Sequence, residues 1–132
     1  MYQEMNLSDI EALIKRQAKV DVQIQQQAAN QVLVHYLLVN MDVQLIGVSD
    51  DALLFRYQLG KLAGFMAKGA AKGAAKMLGK NIRTKKINWD TEQQQIRLNL
   101  AVFAQFRPWF QQHRLASAVI EEGKIKLQFV AK

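Results

Sequence analysis

The chain has 132 residues, half of them hydrophobic, with no cysteine, one proline and a formal net charge of +7. That length suits one domain with a real core, and the apolar content excludes a disordered chain. The missing cysteine excludes disulfides, thiolate chemistry and cysteine zinc sites. The charge is unevenly placed. Residues 52–89 hold nine Lys or Arg and no Asp or Glu, while the remainder holds nine bases against eleven acids. An acid-free stretch of that length points to an anionic partner.

Residues 1–5 lack both a basic start and a long apolar run, so no signal peptide is visible. The expected location is the cytoplasm, peripheral to the membrane if the basic stretch binds lipid. Ser8 and Glu11 have capping-box spacing, and Ile10, Leu13, Ile14 and Ala18 mark one face of a short helix ending near Ala18. Val20, Val22 and Ile24 alternate with polar residues, as in a strand. Residues 31–39 suit either a strand buried on both faces or a helix continuing from Gln25, and the valines favour the strand. Residues 41–48 and 53–58 form a hairpin through Ser49, Asp50 and Asp51, whose short side chains accept turn hydrogen bonds.

Residues 60–80 are the most distinctive stretch. At about 100° per residue, Lys68, Lys72, Lys76 and Lys80 fall on one side with Lys61. Ala63, Met66, Ala70, Ala74, Met77 and Leu78 fall on the other. The pattern predicts a cationic amphipathic helix of about 20 residues, near 30 Å long. It is not a membrane span, because each central lysine would cost roughly 2.5–3.5 kcal/mol there. Phe65 projects to the lysine side. Gly64, Gly69 and Gly73 each cost about 1 kcal/mol relative to Ala, so the helix needs a surface to fold against. Its small residues also suit close approach of a second copy.

Arg83, Lys85 and Lys86 continue the charge. Ile87 and Trp89 begin a hairpin that turns through Asp90, Thr91 and Glu92. Ile96, Leu98, Leu100, Val102, Ala104 and Phe106 then occupy every second position, predicting one long strand. Pro108 opens a short helix carrying Trp109, Phe110 and His113. A final hairpin turns at Glu121–Lys124, with Ile125, Leu127 and Phe129 inward.

Short turns imply antiparallel pairing. The expected architecture is α+β, one domain over residues 1–132. A curled antiparallel sheet packs on one long amphipathic helix, with a short N-terminal helix and a short helix in the C-terminal half.

The expected function is non-enzymatic binding of anionic amphiphiles (phospholipid or fatty acid) or anionic membrane surfaces. The site residues are Lys61, Phe65, Lys68, Lys72, Lys76, Lys80, Arg83, Lys85 and Lys86, with Trp89 and Trp109 as rings. A curled sheet facing small residues also leaves room for an apolar groove that takes a lipid tail. The alternatives are a non-specific nucleic-acid or acidic-protein binder and a structural or oligomerisation module. Nucleic acid would need exposed rings for base stacking, drawn from Phe65, Trp89, Phe103 and Trp109. His35 sits in an apolar run as a hydrogen-bonded residue, and His113 sits on the surface. Neither has a carboxylate at i+3 or i+4, so no metal or cofactor is expected. Asp50/Asp51 and Glu121/Glu122 are solvated turn acids, and no nucleophile or phosphate-loop motif is present.

Overall fold

The computed structural model describes residues 1–19, 21–36, 39–59, 87–90 and 92–132. Residues 60–86, with the predicted lysine helix, lie outside the described residues. The described chain folds as two antiparallel sheets. Strands β1 (Tyr2–Asn6), β8 (His113–Glu121) and β9 (Lys124–Ala131) form one of three, in the order β1-β9-β8. The other holds β2 (Gln23–Ala28), β3 (Gln31–Tyr36), β4 (Val39–Val48), β5 (Ala52–Leu59), β6 (Ile87–Asp90) and β7 (Gln95–Asn99), in the order β2-β3-β4-β5-β7-β6.

Of the described residues, 60% are in strands and 19% in helix, with one α-helix, α1 (Leu7–Ala18). This corrects the expected sheet packed on one long helix. The core is made instead by the inner faces of two sheets and by α1. Leu7, Ile10 and Leu13 of α1 are buried with Val32, Val43, Leu45, Phe55 and Leu98 of the six-stranded sheet. The same cluster takes in Leu115, Ile120, Ile125, Leu127 and Phe129 of the three-stranded sheet. An unpaired sheet face this apolar must be covered, and a second sheet covers it as well as a helix does.

The N-terminus differs in detail. Tyr2–Asn6 forms an edge strand paired to β9, with Tyr2 opposite Gln128 and Asn6 opposite Lys124. The helix therefore starts one residue before Ser8. Its cap is Asn6, whose N–H donates to the Asp9 carboxylate at 3.2 Å in a capping box. Ser8 and Glu11 have the right spacing, but Leu7 is already helical and buried, which moves the box two residues back. The helix ends at Ala18, with Lys19 in the left-handed conformation.

Residues 31–36 are strand, not helix, and β3 pairs with both β2 and β4. The predicted β4–β5, β6–β7 and β8–β9 hairpins form. At the β6–β7 turn, the Asp90 carboxylate accepts the N–H groups of Glu92 and Gln93, both at 3.0 Å.

The predicted long strand over 96–106 stops at Asn99. Two short 3-10 helices follow, Leu100–Val102 and Arg107–Phe110. The residues that bury themselves are Leu100, Phe103, Phe106 and Phe110, three or four apart, whereas Ala104 is exposed. Large rings at a helical-turn period outweigh smaller residues at period two. Pro108 lies in the first turn of the second 3-10 helix, as expected. His113 falls beyond it, at the start of β8.

Candidate functional site

Around β2, β3 and β4 the inner residues are Val22, just before β2, Ile24 of β2, Val32 and Val34 of β3, and Met41 and Val43 of β4. Five of these six are β-branched, which suits a pleated surface but projects little volume toward a facing helix. Beneath α1 they leave a cavity of about 110 Å³. Leu7, Ile10 and Ile14 close it from the helix side. Phe55, Ile87, Trp89, Ile96 and Leu98 close it from the far strands, and Ile120 and Ile125 from the second sheet. Among the described residues every lining side chain is apolar except for the Trp89 indole N–H. That group donates to the Tyr57 hydroxyl at 3.1 Å, and the two rings lie 5.0 Å apart. Burial pushes the Tyr57 hydroxyl above the usual tyrosine range. The bond from Trp89 opposes that shift, and the charge of Asp90 adds to it.

Among the described residues, the lining side chains that are not fully buried fall at two places. Ile14, Ile24 and Val34 are half-buried at one, with Ile24 directly opposite Val34 in the β2–β3 ladder. Trp89 and Ile96 are half-buried at the other, opposite each other in the β6–β7 ladder.

Of the predicted site residues, Trp89 is at this cavity. Trp109 belongs to a different ring cluster, 5.2 Å from Phe106 and 5.9 Å from Phe129. The structure therefore does not bring the two tryptophans into one site. Phe103 is buried at 3% exposure, so it offers no stacking face. Lys61, Phe65, Lys68, Lys72, Lys76, Lys80, Arg83, Lys85 and Lys86 lie outside the described residues. The cavity-lining residues of α1 and β2–β4 were missed as a site. Their signal in the sequence is the run of short β-branched residues on neighbouring strands.

Several other ionisable groups have structural partners. Asp51 pairs with Arg97 at 3.0 Å on a half-exposed surface, which contributes at most about 1 kcal/mol. Glu121 accepts from Lys126 at 2.8 Å, and this bond raises the lysine above its ordinary value. His35 is hydrogen-bonded through Nδ1 to the Asn40 side chain. A mixed cleft of about 550 Å³ brings Asp50, Asp51, Arg107 and His113 to one surface. Among the described residues no group of three or more His, Cys, Asp or Glu is gathered to hold a metal ion. No described helix is long and apolar enough to cross a membrane.

No protein-family model, no curated protein and no solved structure matches this chain.

Proposed function

We propose that this chain is a binding protein for anionic amphiphiles and that it holds the apolar end of the ligand between α1 and the six-stranded sheet. The observation that carries the reading is a cavity that the described residues line with apolar side chains, the Trp89 indole N–H being already hydrogen-bonded. An apolar cavity near 150 Å³ stays dry and takes a benzene-sized guest. One of about 110 Å³ that opens to solvent therefore suits the last few methylenes of a chain, not a whole acyl tail. The rest of the ligand stays outside, where the charge of the protein acts on it. A net charge of +7, concentrated in residues 52–89, favours a negative headgroup.

Titration with octanoate, followed by methyl chemical shifts, tests the reading. Saturable shifts at Ile24, Val34 and Met41, with Ile46 on the outer face unmoved, are the expected result. Shifts spread evenly over exposed methyls, or none at all, would overturn it.

A further inference from the structure

The lysines that suggested a headgroup site are in residues 60–86, but the described residues hold cations of their own beside the cavity. Ile14 lines one opening, and Lys15 and Arg16 follow it in the last turn of α1. Lys19, the C-cap, begins the link into β2, whose Ile24 lines the same opening. All three basic side chains are exposed. Among the described residues none of them forms an ion pair or side-chain hydrogen bond. The nearby acids are Glu11, one turn before Lys15, and Asp21, two residues after Lys19. The rim therefore keeps a positive balance. At the other opening, beside Trp89 and Ile96, the neighbouring charges are the exposed carboxylate of Asp90 and the guanidinium of Arg97, which is already paired with Asp51.

We infer that Lys15, Arg16 and Lys19 form an anion-selecting rim and that a carboxylate- or phosphate-bearing amphiphile enters with its charge at the C-terminal end of α1. The inference rests on the proposed function. The apolar part of the ligand occupies the cavity, and the cations at this one opening decide its orientation and charge. Those cations also complement the negative end of the helix dipole. That role requires no ligand and predicts no charge preference.

Octanol and octanoate share a tail and differ in charge, so the ratio of their affinities separates the two claims. At about 20 mM salt the wild-type chain is expected to prefer octanoate about three- to tenfold, once intrinsic solubility is allowed for, and the preference shrinks at about 0.5 M. Lys15→Glu, Arg16→Glu and Lys19→Glu together should remove or reverse the preference while octanol binding is kept. The corresponding Gln variants, which add no new charge, should lower the ratio without reversing it. An unchanged ratio in both variants overturns the rim even though octanol still binds. Absence of octanol binding to the wild-type chain overturns the cavity reading and the rim with it.

Discussion

Asn30 and Ile120 exchange two hydrogen bonds across the two sheets. The Asn30 N–H donates to the Ile120 carbonyl at 2.8 Å, and the Ile120 N–H donates to Asn30 Oδ1 at 2.7 Å. Asn30 also accepts the Leu45 N–H at 2.8 Å, and its φ of 61° is left-handed. Asparagine is among the few residues that hold that conformation cheaply while offering a side-chain acceptor. Ile120 is 1% exposed, so its N–H has no water to fall back on. Asn30→Ala is expected to cost about 2–3 kcal/mol, combining an unsatisfied buried donor with left-handed strain. Asn30→Asp keeps the acceptor and should cost less. Asn30→Gly keeps only the backbone freedom and should fall between. Urea unfolding of the three variants checks the order, and equal losses for Ala and Gly would show that φ plays no part.

Gln26 converges on the same residue. Its Nε2 donates to the Ile120 carbonyl at 3.0 Å, and its Oε1 accepts the Gly123 N–H at the β8–β9 turn. Two side chains that share a partner do not act independently. Gln26→Ala should cost about 1 kcal/mol alone. The double variant with Asn30→Ala should depart from additivity by about 0.5 kcal/mol or more. A strictly additive pair in the double-mutant cycle would separate the two bridges.

Hairpins were legible in the sequence because their signal is local. Ile125, Leu127 and Phe129 alternate with polar residues, and Glu122 and Gly123 take the turn with positive φ. The Asn30 and Gln26 bridges were not legible. Each joins residues about 90 or more apart, and neither Asn nor Gln carries a pattern that names its partner. β1 was invisible for a related reason. Tyr2, Glu4 and Asn6 are exposed, so pairing with β9 makes it a strand, with little help from its own apolar period. The cavity was half legible. The alternation of Val22 and Ile24 gives their face, but the apolar run over Val32 and Val34 does not give theirs, and α1 closing over all four is a tertiary fact.

The stretch after Asn99 offers a direct check on period. Phe106 is 4% exposed, with its ring 5.7 Å from Phe103 and 5.2 Å from Trp109. Phe106→Ala should cost about 3–5 kcal/mol by leaving a ring-sized void. Ala104, which a strand through this region would place on the same inner face, is exposed. Ala104→Lys should therefore change stability by no more than about 0.5 kcal/mol. Thermal unfolding of both variants distinguishes the turns from a strand, since a strand would make the lysine costly as well.

Tyr2 and Glu4 form the clearest acid-side titration. The Tyr2 hydroxyl donates to Glu4 Oε1 at 2.6 Å, and this bond, with Lys124 and Lys126 nearby, holds the carboxyl below the usual glutamate range. A carboxyl whose folded pKa is depressed stabilises the fold above its unfolded pKa and loses that contribution as pH falls through the folded value. Tyr2→Phe should move the Glu4 midpoint upward toward the ordinary glutamate value, followed by side-chain carboxyl NMR. Both groups are exposed, so the readout is the midpoint and not global stability. An unmoved midpoint would assign the shift to the two lysines alone.

Tyr57 and Trp89 give the alkaline counterpart, beside the cavity. Tyr57 is 2% exposed, and burial raises its hydroxyl above the ordinary tyrosine value while Trp89 donates to it. The folded state thus resists ionising a group that the unfolded chain ionises near pH 10. Its contribution is fully present below about pH 10 and is lost as pH rises from there through the folded pKa. Tyr57→Phe takes the acceptor from the indole N–H and should cost about 1 kcal/mol near neutrality. It also removes the ionisable hydroxyl, so from about pH 8 to pH 11 the gap to wild type should stay constant up to about pH 10 and narrow above it. Urea midpoints of the two proteins across that range give the comparison. If the curves run parallel, the hydroxyl is no harder to ionise in the fold than out of it. The bond from Trp89, which opposes the effect of burial, would then offset it in full.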